Sequence, residues 1–204
     1  ILSDGPDEIG QLAEAMERAR HGLRARMADL SLLLELNRRL MEVEDLARGL
    51  PEVARALERA TAANLVRLLL PGPGGSLRVF TAAGEVPPEP LDHACWEQVD
   101  AHTEPVWIGP GVRPDDLAPA LRSERAPRVL GVFPIHLGEE RVGAAWLAFP
   151  SSHRAGSSER QLIRLILSQA AVFIARARLY EAITAERERL RAVLECSPDP
   201  LMLV

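Results

Sequence analysis

"VFPIHLGEERVGAAWLAF", residues 132 to 149, sets two apolar runs on either side of the polar turn "GEE". With the residues just before it, the stretch reads as two strands, "RVLGVFPIHL" and "RVGAAWLAF". Alternate positions are apolar on both sides of each strand, which predicts a sheet covered on both faces. Upstream, "NLVRLLL", "PGPGGS" and "LRVFTAA" read as strand, turn and strand, two β-prone runs joined by a break rich in glycine and proline. That break is no phosphate loop, because no Lys-Ser/Thr closes it and no helix opens after it.

The segments around these strands are helical. "DLARGLPEVARALERATAA" carries Leu46, Leu50, Val53, Leu57 and Ala60 on one face, with Pro51 either near the first turn or kinking the helix. "LDHACWEQVDAHTEPVWIGP" predicts a short helix leading into a strand at 105–108. "DDLAPALRSERA" has loop or short-helix character, limited by Pro114 and Pro119. Irregular backbone between core strands is where binding sites are usually built. "GSSERQLIRLILSQAAVFIARARLYEAI" predicts a helix of more than seven turns, with Ser157 as its N-cap and Glu159 in the first turn.

Composition bounds the rest. At 204 residues, 47% hydrophobic and 26% charged, the chain can bury one sizeable core and still extend helices beyond it. No apolar run approaches the roughly 20 residues of a membrane span, and no signal-peptide layout opens the chain. The net charge is −5 and every basic residue is an arginine, spread along helices rather than gathered into an arginine-aromatic stripe. Nucleic acid is therefore not an expected partner. Cys95 and Cys196 lie far apart, forming neither a disulfide framework nor a metal-ligand spacing, which fits a reducing compartment.

At the N-terminal end, Ile9, Leu12, Met16, Ala19 and Leu23 recur in steps of 3, 4, 3 and 4, the narrow seam of a coiled coil. The seam continues through Met27, Leu30, Leu34 and Met41, with a stutter between Leu23 and Met27. A second seam near the other end runs through Tyr180, Ile183, Leu190 and Leu194, with Arg187 at a position that asks for an apolar residue. Both seams leave the globular part of the chain, so the expected partner is a second copy in a parallel homodimer. His21, His93, His102 and His153 read as surface residues.

Three stretches resemble known families. "VFPIHLGEERVGAAWLAF" resembles the two final strands of a GAF domain, and "SSERQLIRLILSQAAVFIARARLYEAI" resembles its closing helix. "DEIGQLAEAMERAR" resembles the start of the second helix of a HAMP domain, with Asp7, Glu8 and Gly10 opening it. "ERERLRAVLECSPDPLMLV" looks like the beginning of a PAS domain. The implied organisation is a HAMP C-terminal helix and signalling coiled coil over 1–40, a GAF domain over 41–184, and a linker helix with the start of a PAS domain over 185–204. The implied fold is α+β, a GAF-type antiparallel sheet with helices on both faces, extended by long terminal helices.

Such an order implies a sensor, most often a histidine kinase of a two-component system, in the cytoplasmic portion of a bacterial inner-membrane protein. The membrane would be reached only through an upstream segment. No phosphoacceptor, ATP-lid or cyclase pattern occurs here, so the piece itself is not expected to be catalytic. The alternatives are a chemosensor domain of a diguanylate cyclase or other signalling enzyme, and a GAF-fold reductase of free methionine sulfoxide. The resemblance places a pocket between one sheet face and the variable helices and loops, with Cys95, Trp96, Trp107, Phe133, His136 and Trp146 as candidate lining. The tryptophans and Phe133 nevertheless read as core before ligand contacts, Cys95 as a small buried hydrophobe and His136 as a satisfied strand end before a pocket residue. No cofactor is specified: Trp96 follows Cys95 where bilin-binding relatives carry histidine, and cyclic-nucleotide relatives use a lysine that this chain lacks. The reductase needs a resolving thiol, and Cys95 is alone inside the domain.

Overall fold

The computed structural model describes residues 5–101, 104–109, 121 and 126–195, without the side chains of 5–9, 100, 101 and 193–195. The seam residues Ile9 and Leu194, His102, nearly all of "DDLAPALRSERA" and the PAS-like stretch after Glu195 thus lie wholly or in their side chains outside the described residues. In chain order the elements are helix α1 (Gly5–Met41), helix α2 (Leu46–Ala60), strands β1 (Leu65–Pro71), β2 (Leu77–Thr81) and β3 (Gly84–Val86), helix α3 (Pro90–Ala101), strands β4 (Val106–Ile108), β5 (Val129–Leu137) and β6 (Glu140–Phe149), and helix α4 (Ser157–Glu195).

The strands form one sheet in the order β3-β2-β1-β6-β5-β4, every neighbouring pair antiparallel. Because side chains alternate along a strand, each central strand feeds two cores. Val66, Leu68 and Leu70 of β1, Phe133 and Ile135 of β5, and Ala145, Leu147 and Phe149 of β6 face α2, α4 and the last turns of α1. Leu69, Leu130, Val132, Ala144, Trp146 and Ala148 face the other way, toward Ala94, Cys95 and Val99 of α3. The double coverage expected from the unbroken apolar runs is what the structure has.

Turn and cap chemistry agree with the sequence in most places. Gly138, at φ 62°, opens the two-residue turn between β5 and β6, the first central position of a type II′ hairpin, where glycine is required. Asp45 caps α2 by accepting hydrogen bonds from the amides of Ala47 (2.6 Å) and Arg48 (3.3 Å). α2 runs without interruption through Pro51, which is buried. Two readings shift. Ser157 is the first helical residue of α4 rather than its cap, and β3, a three-residue strand paired with β2, is too short for any periodicity to announce.

α1 and α4 lie side by side and point the same way. Arg26, Asp29, Leu30 and Leu33 of α1 border a groove of about 320 Å³ with Ser158, Gln161, Leu162 and Leu165 of α4, while Leu40 near the end of α1 meets Arg176 further along α4. The free ends therefore leave the core in opposite directions. Residues 10–28 of α1 and 179–192 of α4 are exposed at every position.

α2 sits against α4 at Gly49, where a Cβ would overlap the ring of the buried Phe173. Gly49→Ala is expected to lower unfolding stability by about 1–3 kcal/mol through overpacking. Phe173→Leu in the same chain should recover part of that loss, measured as the shift in urea midpoint. Equal midpoints for Gly49→Ala and the unaltered chain would show that the helices separate freely there.

Candidate functional site

β1 carries one charge in an apolar strand, Arg67, and alternation sends it under α3 with Leu69. It is 6% exposed. Its Nη1 donates to Glu89 Oε1 (2.8 Å), and Nη2 donates to Asp92 Oδ2 (2.8 Å) and to the Pro87 carbonyl (3.1 Å). Asp92, fully buried in the first turn of α3, also accepts from the Glu89 amide (2.7 Å) and, through Oδ1, from the Trp146 indole N–H (2.8 Å). The guanidinium lies 5.9 Å from the centre of that indole ring. One carboxylate thus ties the start of α3 to β1 and β6, and Arg67 Nε is left without a hydrogen-bond partner.

A buried ion pair contributes little net stability over a well-packed apolar alternative, yet removing one partner costs several kcal/mol. The network is therefore a device of position: it allows one placement of α3 over the sheet and penalises others. An acid in the first turn is also favoured by the helix dipole. The motif was missed in the sequence, although an arginine inside "LVRLLL" is the signal that marks it, since a charge in a doubly covered strand demands a buried partner.

The six candidate pocket residues do not share one site. Cys95 and Trp146 are buried on the α3 side, and the half-buried Trp96 lies beside them under the Arg141 guanidinium at 4.2 Å. Trp107 and Phe133 pack on the opposite face, ring to ring at 5.3 Å, with Phe149 5.6 Å from Trp107. His136 follows a bulge in β5 and borders a recess of about 120 Å³ with Pro105, Arg164 and Ser168. The sheet divides the set, so a ligand on the α3 face meets only Cys95, Trp96 and Trp146 among them. Burial, and secondarily the nearby Asp92 charge, push the Cys95 thiol far above its ordinary range. It stays protonated at neutral pH and is a poor nucleophile.

His153 is not the surface residue that the sequence suggested. Its ring stacks on Phe149 at 4.5 Å and its Nε2 lies 2.9 Å from Glu159 Oε2, while Glu159 Oε1 accepts from the Ala62 amide (3.3 Å). The pair pins the start of α4 to the ends of β6 and α2. Among the described residues, no cluster of three His, Cys, Asp or Glu side chains could hold a metal.

The other candidate site is a surface. On α1, Leu12, Met16, Leu23, Met27, Leu30, Leu34 and Met41 are each 60–69% exposed. At 3.6 residues per turn they fall within an arc of about 60°. On α4, Leu165, Val172, Leu179, Ile183 and Leu190 make a second exposed stripe, with Tyr180 at its edge. Leu165, Val172 and Leu179 were absent from the seam read in sequence, and they extend it back along the globular core. Contiguous exposed apolar surface of this length makes the two stripes a candidate interaction surface.

Two outcomes test the buried half of this picture. Asp92→Ala should lower stability by about 3–5 kcal/mol by removing the buried carboxylate that pairs with Arg67 and accepts from the Trp146 indole. Trp146→Phe, which removes one hydrogen bond to a charged acceptor, should cost about 1.5–3 kcal/mol, both read by chemical denaturation. Separately, in a Cys196→Ser background, Cys95 should resist iodoacetamide at pH 8 until denaturant is added. Rapid labelling of the folded chain would show that the thiol is accessible and activated.

No family model and no curated protein matches the chain. Solved structures do. The GAF domain of a phosphoenolpyruvate-protein phosphotransferase from Coxiella burnetii superposes with a TM-score of 0.57 at 17% identity, over 76% of this chain and 98% of that one. A fragment of a methyl-accepting chemotaxis protein gives 0.56 at 21% identity, over 72% and 99%. The GAF domain of a protein assigned as a sensor histidine kinase from Pseudomonas syringae pv. tomato gives 0.54 at 19% identity, over 82% and 99%. At these identities the likeness is one of architecture, and the architecture of this chain, a six-stranded antiparallel sheet between α3 and the packed helices α1, α2 and α4, is GAF-like.

Proposed function

We propose that this chain is a dimeric signalling module that relays a conformational signal from α1 to α4, within a longer bacterial receptor of the two-component kind. The observation that carries the reading is the pair of exposed apolar stripes on two parallel helices that leave the core at opposite ends. A second copy, related by a two-fold axis along the helices, covers both stripes at once and keeps like ends together. Each large apolar side chain removed from water contributes about 1.5–3 kcal/mol, and association costs about 4–15 kcal/mol, so the stripes of two protomers suffice for a stable pair.

The finer parts of the proposal follow the resemblances. A HAMP domain upstream delivers a rotation or shift of α1, and α4, unbroken from Ser157 to Glu195, carries it toward a PAS domain and a histidine-kinase output. No described helix is long and apolar enough to cross a membrane; the proposed membrane anchor, a segment upstream, comes from the HAMP resemblance. Solved GAF-like neighbours from a sensor kinase and a chemotaxis protein support signalling as the setting. The buried, protonated Cys95 speaks against thiol chemistry and hence against the reductase alternative.

Cysteines placed singly at positions 16 and 190, in a background with Cys95→Ala and Cys196→Ser, should each cross-link to their own copy. A chain carrying cysteine at 16 mixed with one carrying it at 190 should give no mixed product. A monomer by light scattering at high micromolar concentration, or cross-links only between 16 and 190, would sink the parallel pair.

A further inference from the structure

Arg176 occupies a place on α4 where the exposed stripe asks for an apolar residue, seven before Ile183 and between Val172 and Leu179. Its side chain does not lie along the stripe. Nη2 donates to the carbonyls of Leu40 and, at 2.8 Å, Val43, while Nη1 lies 3.2 Å from Met41 Sδ. α1 ends at Met41, so the Leu40 carbonyl is one of the four that a last helical turn leaves without a donor. The negative end of the helix dipole adds to the attraction. The guanidinium also sits 5.6 Å from the ring of the buried Phe173, and its Nε is buried without a hydrogen bond. The C-terminal end of α1 is thus capped by a residue from the helix that leaves the module.

We infer that Arg176 is the residue that couples α1 to α4. Clamped on the end of α1, it holds the two helices in one relative setting and keeps a positive charge out of the α4 stripe. A rotation or shift of α1 that withdraws the Leu40 and Val43 carbonyls releases the guanidinium, which then returns to the stripe. In a parallel pair it meets the same charge from the other copy, and that packing of α4 is disfavoured. The state of α1 is in this way converted into the packing of the outgoing helix by a single side chain with two places to go. The inference rests on the paired reading above.

The test uses the whole chain in the Cys95→Ala, Cys196→Ser background with Met16→Cys. Oxidation locks the α1 pair, and amide hydrogen exchange of residues 179–192 is compared in the oxidised and reduced dimers. Locking should change protection of 179–192 several-fold, and Arg176→Met should abolish that change while the cross-link still forms. Arg176→Lys keeps the charge but lacks the planar fork that spans two carbonyls. It should also lose the change, and its dimer dissociation constant should rise several-fold above that of Arg176→Met. If protection responds to locking equally with and without Arg176, or never responds, the coupling role is overturned although the dimer stands. Equal dimer affinity in the Lys and Met variants would overturn the charge-release step. Failure to cross-link at position 16 would instead remove the paired helices themselves, and the inference with them.

Discussion

The pairing of β1 with β6 is the constraint on which the rest depends. Leu68 lies opposite Ala145 and Leu69 opposite Ala144, so large and small side chains alternate across the centre of the sheet and both faces stay apolar. Neither face can be left to water at about 25 cal/mol per Å² of exposed apolar surface. One face is met by the three packed helices, the other by α3. Every feature with a bearing on function is a consequence of how those covers are attached.

The attachments differ in kind. α3 is held by a charge: Asp92 satisfies Arg67 and the Trp146 indole at once, and the penalty for stranding any of them fixes where α3 lies. On the helix face the holding is mostly packing, with Phe173 filling the space that Gly49 leaves open. α1 is tied at its end by an ion pair to α2, Arg39 with Glu52 at 3.0 Å, and by the Arg176 cap from α4. The sheet and α3 are thus fixed by charge and packing together, while α1 meets the core from Leu32 onward and is tied at its end to α2 and α4.

The long terminal helices carry apolar stripes that the protomer leaves exposed. Isolated helices gain little from intrinsic propensity, and most of their stability in proteins comes from burying an apolar face. Residues 10–28 and 179–192 are exposed at every position in the protomer. Because the two stripes lie on neighbouring, parallel helices, the pair proposed above would cover both with one symmetric contact.

The sequence by itself determined the sheet strands of more than a few residues, the double coverage, the long closing helix and the apolar stripe along α1, because each is written as a local period of 2 or 3.6 or as a turn residue with a steric reason. Its reading of the pocket failed to see that Trp107 and Phe133 stand on one face and Cys95 and Trp146 on the other: strand parity is visible, but which helix covers which face is not. The α4 stripe was half legible for a related reason. Between residues 162 and 177 the helix is apolar nearly all round, so periodicity cannot separate Leu165 and Val172, which are exposed, from Ile163, Ile166 and Phe173, which are buried. Only the tertiary structure decided that division, by placing the sheet and α2 against one side of α4. It alone also brought Arg67 to Asp92 and Arg176 to the end of α1, contacts across 25 and more than 130 residues of chain that no local pattern encodes.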